Sequence, residues 1–323
     1  MAAQGDQLAD KWPTFRAAER RLWESHSMTP TERFLPLGNG ARIRVQEVGE
    51  GLPMIFIHGA TNGGASWVPL LAHLHGVRAI AIDRPGCGLS EPVQSINGAN
   101  RFRTLEEIHA YTEQLLIDVL DALELEQAAV GATSYGGLFA FRAAAAHPDR
   151  VTKVVEYSWP MGAPMDKVPV LIRIGAIPGL DRIMAKVPPT RSGVKMMLRQ
   201  IGLKAALTNG AFDDTMLDWF VALLQETDTM DNELRTAPRL FRPLAGLDPD
   251  AVLSAEFLAQ VVAPVLLLWG TDDPNGGEAI ARRFASQLPD ATLHLLPGAG
   301  HAPWVDEPEE CAQRTLAFLG VQG

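Results

Sequence analysis

The stretch AAVGATSYGGLFAFRAAAAHPDR, residues 128–150, decides how the rest of this 323-residue chain is read. It begins as a short apolar run suited to a buried strand, bends through small residues, and continues as an alanine-rich helix. At the bend sits one hydroxyl, Ser134, framed by Ala132, Gly136 and Gly137. A strand that turns into a helix at a single residue forces strained backbone angles and close approach of the two elements, so only small side chains fit on either side. Such a bend pushes the serine Oγ toward solvent or a pocket. It also sets the N–H of Tyr135 at a helix N-terminus, where negative charge is favoured. A helix-capping serine would also account for a hydroxyl there. What separates a cap from a nucleophile is a base elsewhere in the chain and an acid to orient it.

Upstream of the bend, two extended runs at 33–37 and 42–48 are split by Gly38, Asn39 and Gly40. Strands at 53–58, 77–82, 127–132 and 151–157 then alternate with helices at 67–74, 105–123 and 135–147. Thr104 and Glu107 form a capping box at the head of the second helix. The alternation resumes with a strand at 262–269, a helix at 278–288, a strand at 292–296 and a helix at 308–319. This pattern specifies an α/β fold with a mostly parallel, doubly wound sheet covered on both faces. Residues 160–260 read as helical, broken by repeated prolines and without strands, and are expected to form a packed helical cap inserted between two sheet strands. The expected organisation is a helical extension over 1–30, opened by Pro13, a core built from 31–159 and 261–323, and the cap over 160–260.

Composition narrows the function. The chain is 47% hydrophobic and 20% charged, with a formal net charge of −10. An acidic surface is repelled by phosphate backbones, so nucleic acid is not an expected partner and a small-molecule substrate is. The longest apolar stretches, such as 261–270, are too short to span a bilayer. The N-terminus lacks a basic segment followed by an apolar core. The two cysteines, Cys87 and Cys311, show neither metal-ligand spacing nor a disulfide framework. A cytoplasmic protein without a metal is the expectation; oligomeric state is not specified.

The base and the acid are both present. The strand VAPVLLLWG runs into Thr271, Asp272, Asp273 and Pro274, and the strand ATLHLLPG runs into Ala299, Gly300 and His301. Each places a titratable group in a turn after an apolar strand, on the sheet edge that carries Ser134. Three such placements in the order Ser, Asp, His are hard to obtain by accident.

With these residues in view the chain resembles the α/β-hydrolase-fold enzymes with a helical cap, over about residues 33–319. The matching features are His58-Gly59, the run from Asp83 to Ser90 (DRPGCGLS), the elbow from Ala132 to Gly137, the run from Trp269 to Asp273, and the run from Gly298 to His301. Ala132 departs from the commonest pattern, which has Gly, by one methyl group. The resemblance implies that Ser134 is the nucleophile, that His301 is general base and then acid, and that Asp273 orients the imidazole. The acid of the family lies three residues after the strand-ending Gly, which selects Asp273 over Asp272, with Glu156 a third choice. It implies an oxyanion hole made of the Tyr135 and Ala60 N–H groups, and no cofactor. His58 is expected to be a structural hydrogen-bonder beneath the site. The Gly86–Gly88 turn lacks a third glycine at dinucleotide-binding spacing. No base is placed to activate Cys87, and Asp213-Asp214 reads as a helix N-terminus.

Seven of the ten methionines lie between Met161 and Met230. Met is flexible and polarizable and suits an adaptable apolar wall. With Trp159, Trp219, Trp304 and Met161 as pocket candidates, the expected substrate has an apolar or aromatic moiety, and longer acyl or aryl esters should outperform acetyl esters. The expected reaction is hydrolysis of a carboxylic ester through an acyl-enzyme. Alternatives are a carbon–carbon bond hydrolase of vinylogous diketones, a cofactor-free perhydrolase, and a non-enzymatic ligand receptor on the same fold. Halide release and epoxide opening on this fold use an Asp nucleophile, against which Ser134 argues. A fluorophosphonate probe should label the protein at Ser134, and Ser134→Ala should abolish labelling; equal labelling of the variant would remove the serine from the chemistry.

Overall fold

The computed structural model describes residues 12–38, 40–92, 102, 104–165, 189–242 and 246–321. Its strands are β1 (Thr31–Pro36), β2 (Arg42–Val48), β3 (Leu52–Ile57), β4 (Val77–Ile82), β5 (Ala128–Ser134), β6 (Val151–Pro160), β7 (Phe241–Arg242), β8 (Gly246–Leu247), β9 (Val265–Gly270) and β10 (Ala291–Leu296). Eight of them form one sheet in the order β1-β2-β4-β3-β5-β6-β9-β10. The β1–β2 and β2–β4 pairs are antiparallel and the remaining pairs are parallel. This is the mostly parallel, doubly wound sheet that the alternation of strands and helices predicts, in the arrangement that the resemblance to the α/β-hydrolase fold implies.

The central strands are apolar on both faces because helices cover both faces. In β3, Ile55 and Ile57 enter one core while Met54 and Phe56 enter the other. The first core is closed by α3 (Leu105–Ala122), α4 (Tyr135–Ala146) and α10 (Glu278–Ala285). The second is closed by α2 (Val68–Leu71), α11 (Pro303–Asp306) and α12 (Pro308–Leu319). That second core is continuous with α1 (Pro13–Ser25) and with α5 (Arg191–Gln200), α6 (Lys204–Asn209) and α7 (Asp214–Glu226) from the region between β6 and β9. Helix α1 buries Phe15, Leu22 and Trp23 and packs against α7. Two further helices, α8 (Thr229–Thr236) and α9 (Ala255–Leu258), precede β9.

Local signals explain the helix starts. Thr104 Oγ1 accepts the Glu107 N–H at the head of α3, and Asp213 Oδ1 accepts the Met216 N–H at the head of α7. Three departures from the sequence pattern have physical causes. Strand β6 continues past Tyr157 to Pro160, because Thr133 Oγ1 donates to the Tyr157 carbonyl and the Met161 N–H donates to the Ser134 carbonyl (2.7 Å each), which carries the pairing around a kink at Ser158 (φ 77°). The helix expected at 67–74 is a 3-10 turn over Gly64–Trp67 followed by the short α2. Its start is fixed from a distance, by Asp83 Oδ1 accepting the Gly64 N–H at 2.7 Å. Strands β7 and β8 pair antiparallel between α8 and α9 in sequence, and two residues each are too short to carry a hydropathy signal. Asn39 and Met184 lie outside the described residues.

At the elbow, a side chain on Gly136 would overlap the Ile57 carbonyl and come within 2.9 Å of the His58 carbonyl oxygen, and these are backbone atoms that cannot yield cheaply. Gly136→Ala should therefore cost about 3 kcal/mol of unfolding free energy in urea titration, the upper end of overpacking penalties. A loss below ~0.5 kcal/mol would mean that α4 and β3 can separate freely.

Candidate active site

Ser134 sits at the junction of β5 and α4 with φ 53° and ψ −121°, a left-handed conformation that a serine adopts only when its surroundings impose it. The imposition comes from two sides. Gly136 lets α4 lie against β3, and the loop after β3 touches the serine itself. A side chain on Gly59 would lie 3.0 Å from Ser134 Cβ and 3.5 Å from its Oγ. Tyr135 is the first residue of α4, so its N–H has no acceptor within the helix.

The acid and the imidazole come together at the ends of β9 and β10. Asp273 Oδ2 lies 2.7 Å from His301 Nδ1. The turns that carry them pack backbone to backbone, since a side chain on Gly270 would collide with the Gly300 carbonyl. Asp273 is 4% exposed, and its carboxylate is fully used. Oδ2 also accepts from Ser158 Oγ and from the Trp159 N–H at 3.2 Å, and Oδ1 accepts the Asn275 N–H at 2.9 Å. Burial would raise this carboxyl, but His301 and the hydrogen bonds from Ser158 and Asn275 outweigh it and hold it below the ordinary aspartate value. Asp273 therefore stays ionised, which keeps the imidazole proton on Nδ1 and leaves Nε2 as the basic nitrogen.

Ser134 and His301 line one cavity of about 60 Å³, between the sheet rim and helices α5 and α7. Ser134 Oγ makes no hydrogen bond among the described residues, and such contacts often tighten only when substrate binds. Ala60, Trp219 and Trp304 share the lining. Trp159 and Met161 do not: Trp159 is buried beside the imidazole, with ring centroids 6.3 Å apart and its Nε1 donating to the Pro164 carbonyl, and Met161 pairs through its backbone with Ser134. Among the described methionines between 161 and 230, only Met216 reaches the lining, and Met196 is exposed. The wall is instead aromatic and branched, from Phe212, Trp219, Phe220, Leu198, Ile201 and Val305.

The other candidate acids are placed elsewhere. Asp272 is exposed, with Oδ1 accepting from Thr271 Oγ1. Glu156 is completely buried behind the elbow, in the space that Gly137 leaves open. Burial pushes its carboxyl well above the ordinary value, which disfavours the charged form that an imidazolium would need beside it. His58 is buried too. Its Nδ1–H donates to the Gly59 carbonyl (2.8 Å) and its Nε2 accepts the Arg84 N–H (3.0 Å), a neutral tautomer consistent with a pKa pushed well down by burial and by the Arg84 charge. Cys87 points its thiol at Glu233, and burial pushes that thiol up. Among the described residues no group of three or more His, Cys, Asp or Glu is placed to hold a metal ion, and no helix is long and apolar enough to cross a membrane.

Sequence reading missed Ser158 and Asn275, whose bonds to Asp273 complete the acid's surroundings. Asn275 lies two residues past Asp273, a spacing at which its N–H can close on the carboxylate, and could have been found from that. Ser158 could not, because its place depends on where β6 ends.

The chain belongs to the alpha/beta hydrolase family, whose model matches residues 54–314. It is 26% identical over 306 residues to a 2-hydroxy-6-oxononadienedioate/2-hydroxy-6-oxononatrienedioate hydrolase of Paraburkholderia phymatum, covering 92% of this chain and 98% of the relative. It is 28% identical over 309 residues to the 2-hydroxy-6-oxo-6-(2'-aminophenyl)hexa-2,4-dienoic acid hydrolase of Metapseudomonas resinovorans, covering 93% and 94%. Among solved structures, the naproxen esterase (carboxylesterase NP) of Bacillus subtilis superposes with a TM-score of 0.73 at 19% identity, covering 96% of this chain and 97% of that one. The chain is an enzyme of the hydrolase class.

Asp306 follows the His301 turn, and its Oδ2 accepts the Gly300 N–H at 2.9 Å. Burial is the main reason its carboxyl is pushed up to about 6; the Gly300 bond opposes this and the nearby Glu307 adds to it. A folded-state value above the unfolded one, about 3.9, means that the fold holds this proton more tightly, so stability falls as pH rises from about 4 to about 6 and is flat above. Asp306→Asn should raise stability at pH 7 by about 1–2 kcal/mol, after discounting for partial exposure, and give no gain at pH 4. Equal gains in melting temperature at both pH values would show that the effect is not electrostatic.

Proposed function

We propose that the protein is a serine hydrolase that cleaves a carboxylic ester of a small, largely apolar molecule through Ser134, His301 and Asp273. The observation that carries this reading is the shared cavity of Ser134 and His301, with an ionised, buried carboxylate 2.7 Å behind the imidazole. Ser134 Oγ attacks the ester carbonyl while its proton passes to His301 Nε2, and Asp273 stabilises the imidazolium. The carbonyl oxygen, now an anion, is held by the Ala60 and Tyr135 N–H groups. Collapse expels the alcohol, which takes the proton from His301, and leaves an acyl-enzyme. Water, deprotonated by His301, then releases the acid and regenerates Ser134.

The cavity supports a short acyl group. About 60 Å³ is less than half of the ~150 Å³ that holds a benzene ring in an engineered apolar cavity. The methionine count instead suggests longer acyl chains, and the ester panel below decides between the two.

A second reading is carbon–carbon bond hydrolysis, favoured by the relatives of 26–28% identity. Their named substrates are dienoates and dienedioates, which carry one or two carboxylates. Among the described residues that line the cavity there is no Lys or Arg to pair with a carboxylate, whereas a neutral ester needs none.

A panel of p-nitrophenyl esters of graded length, run beside a dienone carboxylate, tests both. The expected result is a kcat/KM highest for acyl groups of two to four carbons, at least tenfold lower for octanoate, and no turnover of the dienone. Ser134→Ala should abolish ester turnover and Asp273→Asn should lower kcat by about 10⁴-fold. Faster cleavage of the dienone than of any ester would replace the first reading by the second.

A further inference from the structure

Two arginines among the described residues, Arg44 and Arg84, are buried and take no part in the reading of Ser134 as nucleophile, and Arg84 is the one that touches the loop after β3 at the site. Arg84 follows β4 by two residues, and its side chain is 3% exposed. Its Nε donates to the His58 carbonyl at 3.0 Å, and its Nη2 donates both to the Gly59 carbonyl at 2.9 Å and to Glu233 Oε1 at 2.6 Å. Its guanidinium carbon lies 4.6 Å from the centre of the Tyr135 ring. One side chain thus touches both segments that carry the proposed oxyanion donors.

The decisive contact is the one to Gly59. The carbonyl of Gly59 and the N–H of Ala60 belong to one planar, trans peptide unit, so they point in opposite directions. Whatever holds that oxygen aims that N–H. Two donors hold it, Arg84 Nη2 and His58 Nδ1, and one of them is charged. Rotating the peptide would break both bonds and leave a buried guanidinium short of an acceptor, at the cost of an unmet charge-assisted bond. The Arg84 charge also draws electron density toward the carbonyl and makes the Ala60 N–H a better donor.

Arg84 itself is secured from the region between β6 and β9. Glu233 lies in α8 and is 2% exposed. The same helix grips the turn after Arg84 at two more points: Asn232 Nδ2 donates to the Pro85 carbonyl at 3.2 Å, and Thr229 Oγ1 accepts the Gly88 N–H at 2.9 Å. A buried cation is tolerated only while its partner stays in place.

We propose that Arg84 and Glu233 are positioning residues for ester hydrolysis. Glu233, docked with α8, fixes the guanidinium, and the guanidinium holds the Gly59–Ala60 peptide in the orientation that offers its N–H to the oxyanion. Docking of α8 and completion of the hole are thereby one event. This rests on the hydrolase reading above.

The test uses the full chain with p-nitrophenyl acetate and a methyl trifluoromethyl ketone, whose adduct with a serine carries the same oxyanion. Losing one oxyanion donor outright costs about 10²–10³ in rate, so mis-aiming one should cost less. Arg84→Met should lower kcat by about 10–100-fold with KM within about twofold, and Arg84→Lys should restore part of it. Glu233→Gln, which keeps volume and one hydrogen bond to Arg84, should lower kcat by about 3–10-fold, and it carries the test if Arg84→Met does not fold. Across the folded variants the affinity for the ketone should fall by the same factor as kcat/KM, which a loss of stability alone would not produce. A kcat/KM within twofold of the parent, or a lowered kcat with unchanged ketone affinity, would overturn the proposal. Retained turnover in Ser134→Ala would instead overturn the hydrolase reading itself, so the two failures are distinguishable.

Discussion

Helix α4 and strand β3 approach so closely that no side chain fits between them, and the rest of the site follows from that contact. A methyl group on Gly136 would occupy the Ile57 carbonyl, and one on Gly59 would press on Ser134 Cβ. A side chain at Gly136 is therefore strongly disfavoured, and one at Gly59 would require Ser134 to shift. Once the elbow exists, Ser134 is held at φ 53°, its side chain is driven toward the cavity, and the Tyr135 N–H emerges beside it at the helix start. The same principle recurs where the other rim turns meet. Gly270 lies against Gly300, and Gly300 lies against the backbone of Gly202 at the turn between α5 and α6. Close packing of bare backbone, rather than side-chain interlocking, sets the distances around Ser134, Asp273 and His301.

Two consecutive residues after β4 organise the loop that follows β3, each through its charge. Asp83 accepts the Gly64 and Leu89 N–H groups and pairs with Arg44, which in turn pairs with the buried Glu19 of α1. Arg84 holds the His58 and Gly59 carbonyls and pairs with Glu233 of α8. Such buried pairs add little net stability, because desolvation consumes most of the Coulomb gain. What they provide is a single arrangement, since any slip leaves a charge unmet. The loop between β3 and α2 is thereby pinned at both ends, one end reaching α1 and the other α8.

The cavity wall is aromatic and branched, with Met216 as the one described methionine on it. Four aromatic rings, Trp67, Tyr157, Trp304 and Phe56, stack in a connected cluster beneath the rim, with centroids 4.6–6.3 Å apart. Trp304 leaves the cluster to line the cavity, while its Nε1 donates to the Ser66 carbonyl. A rigid aromatic wall of this kind sets a fixed small volume, whereas a methionine wall would yield. Which methionines face inward depends on how each helix is rotated, and the number of methionines in the segment carries no information about that rotation.

The strands of the sheet, the elbow and the turns bearing Asp273 and His301 are legible in the linear chain because each depends on a local pattern: apolar runs of strand length, small residues spaced about one serine, a titratable group directly after a strand; the order of the strands across the sheet is not. The tie of Ser158 to Asp273 is not legible, because it depends on how far β6 pairs beyond Tyr157. Nor is the grip of Arg84 on Gly59, or its pairing with a glutamate 149 positions away. These contacts join residues that share no periodicity. By itself the sequence determined the strands of the main sheet, the long helices between them and which side chains stand at the sheet's carboxyl edge, since these follow from hydrogen bonding and hydropathy within a few residues. Only the tertiary structure decided which polar groups meet across that edge and how much space remains between them, since burial makes a charge find its partner wherever the packing has brought one.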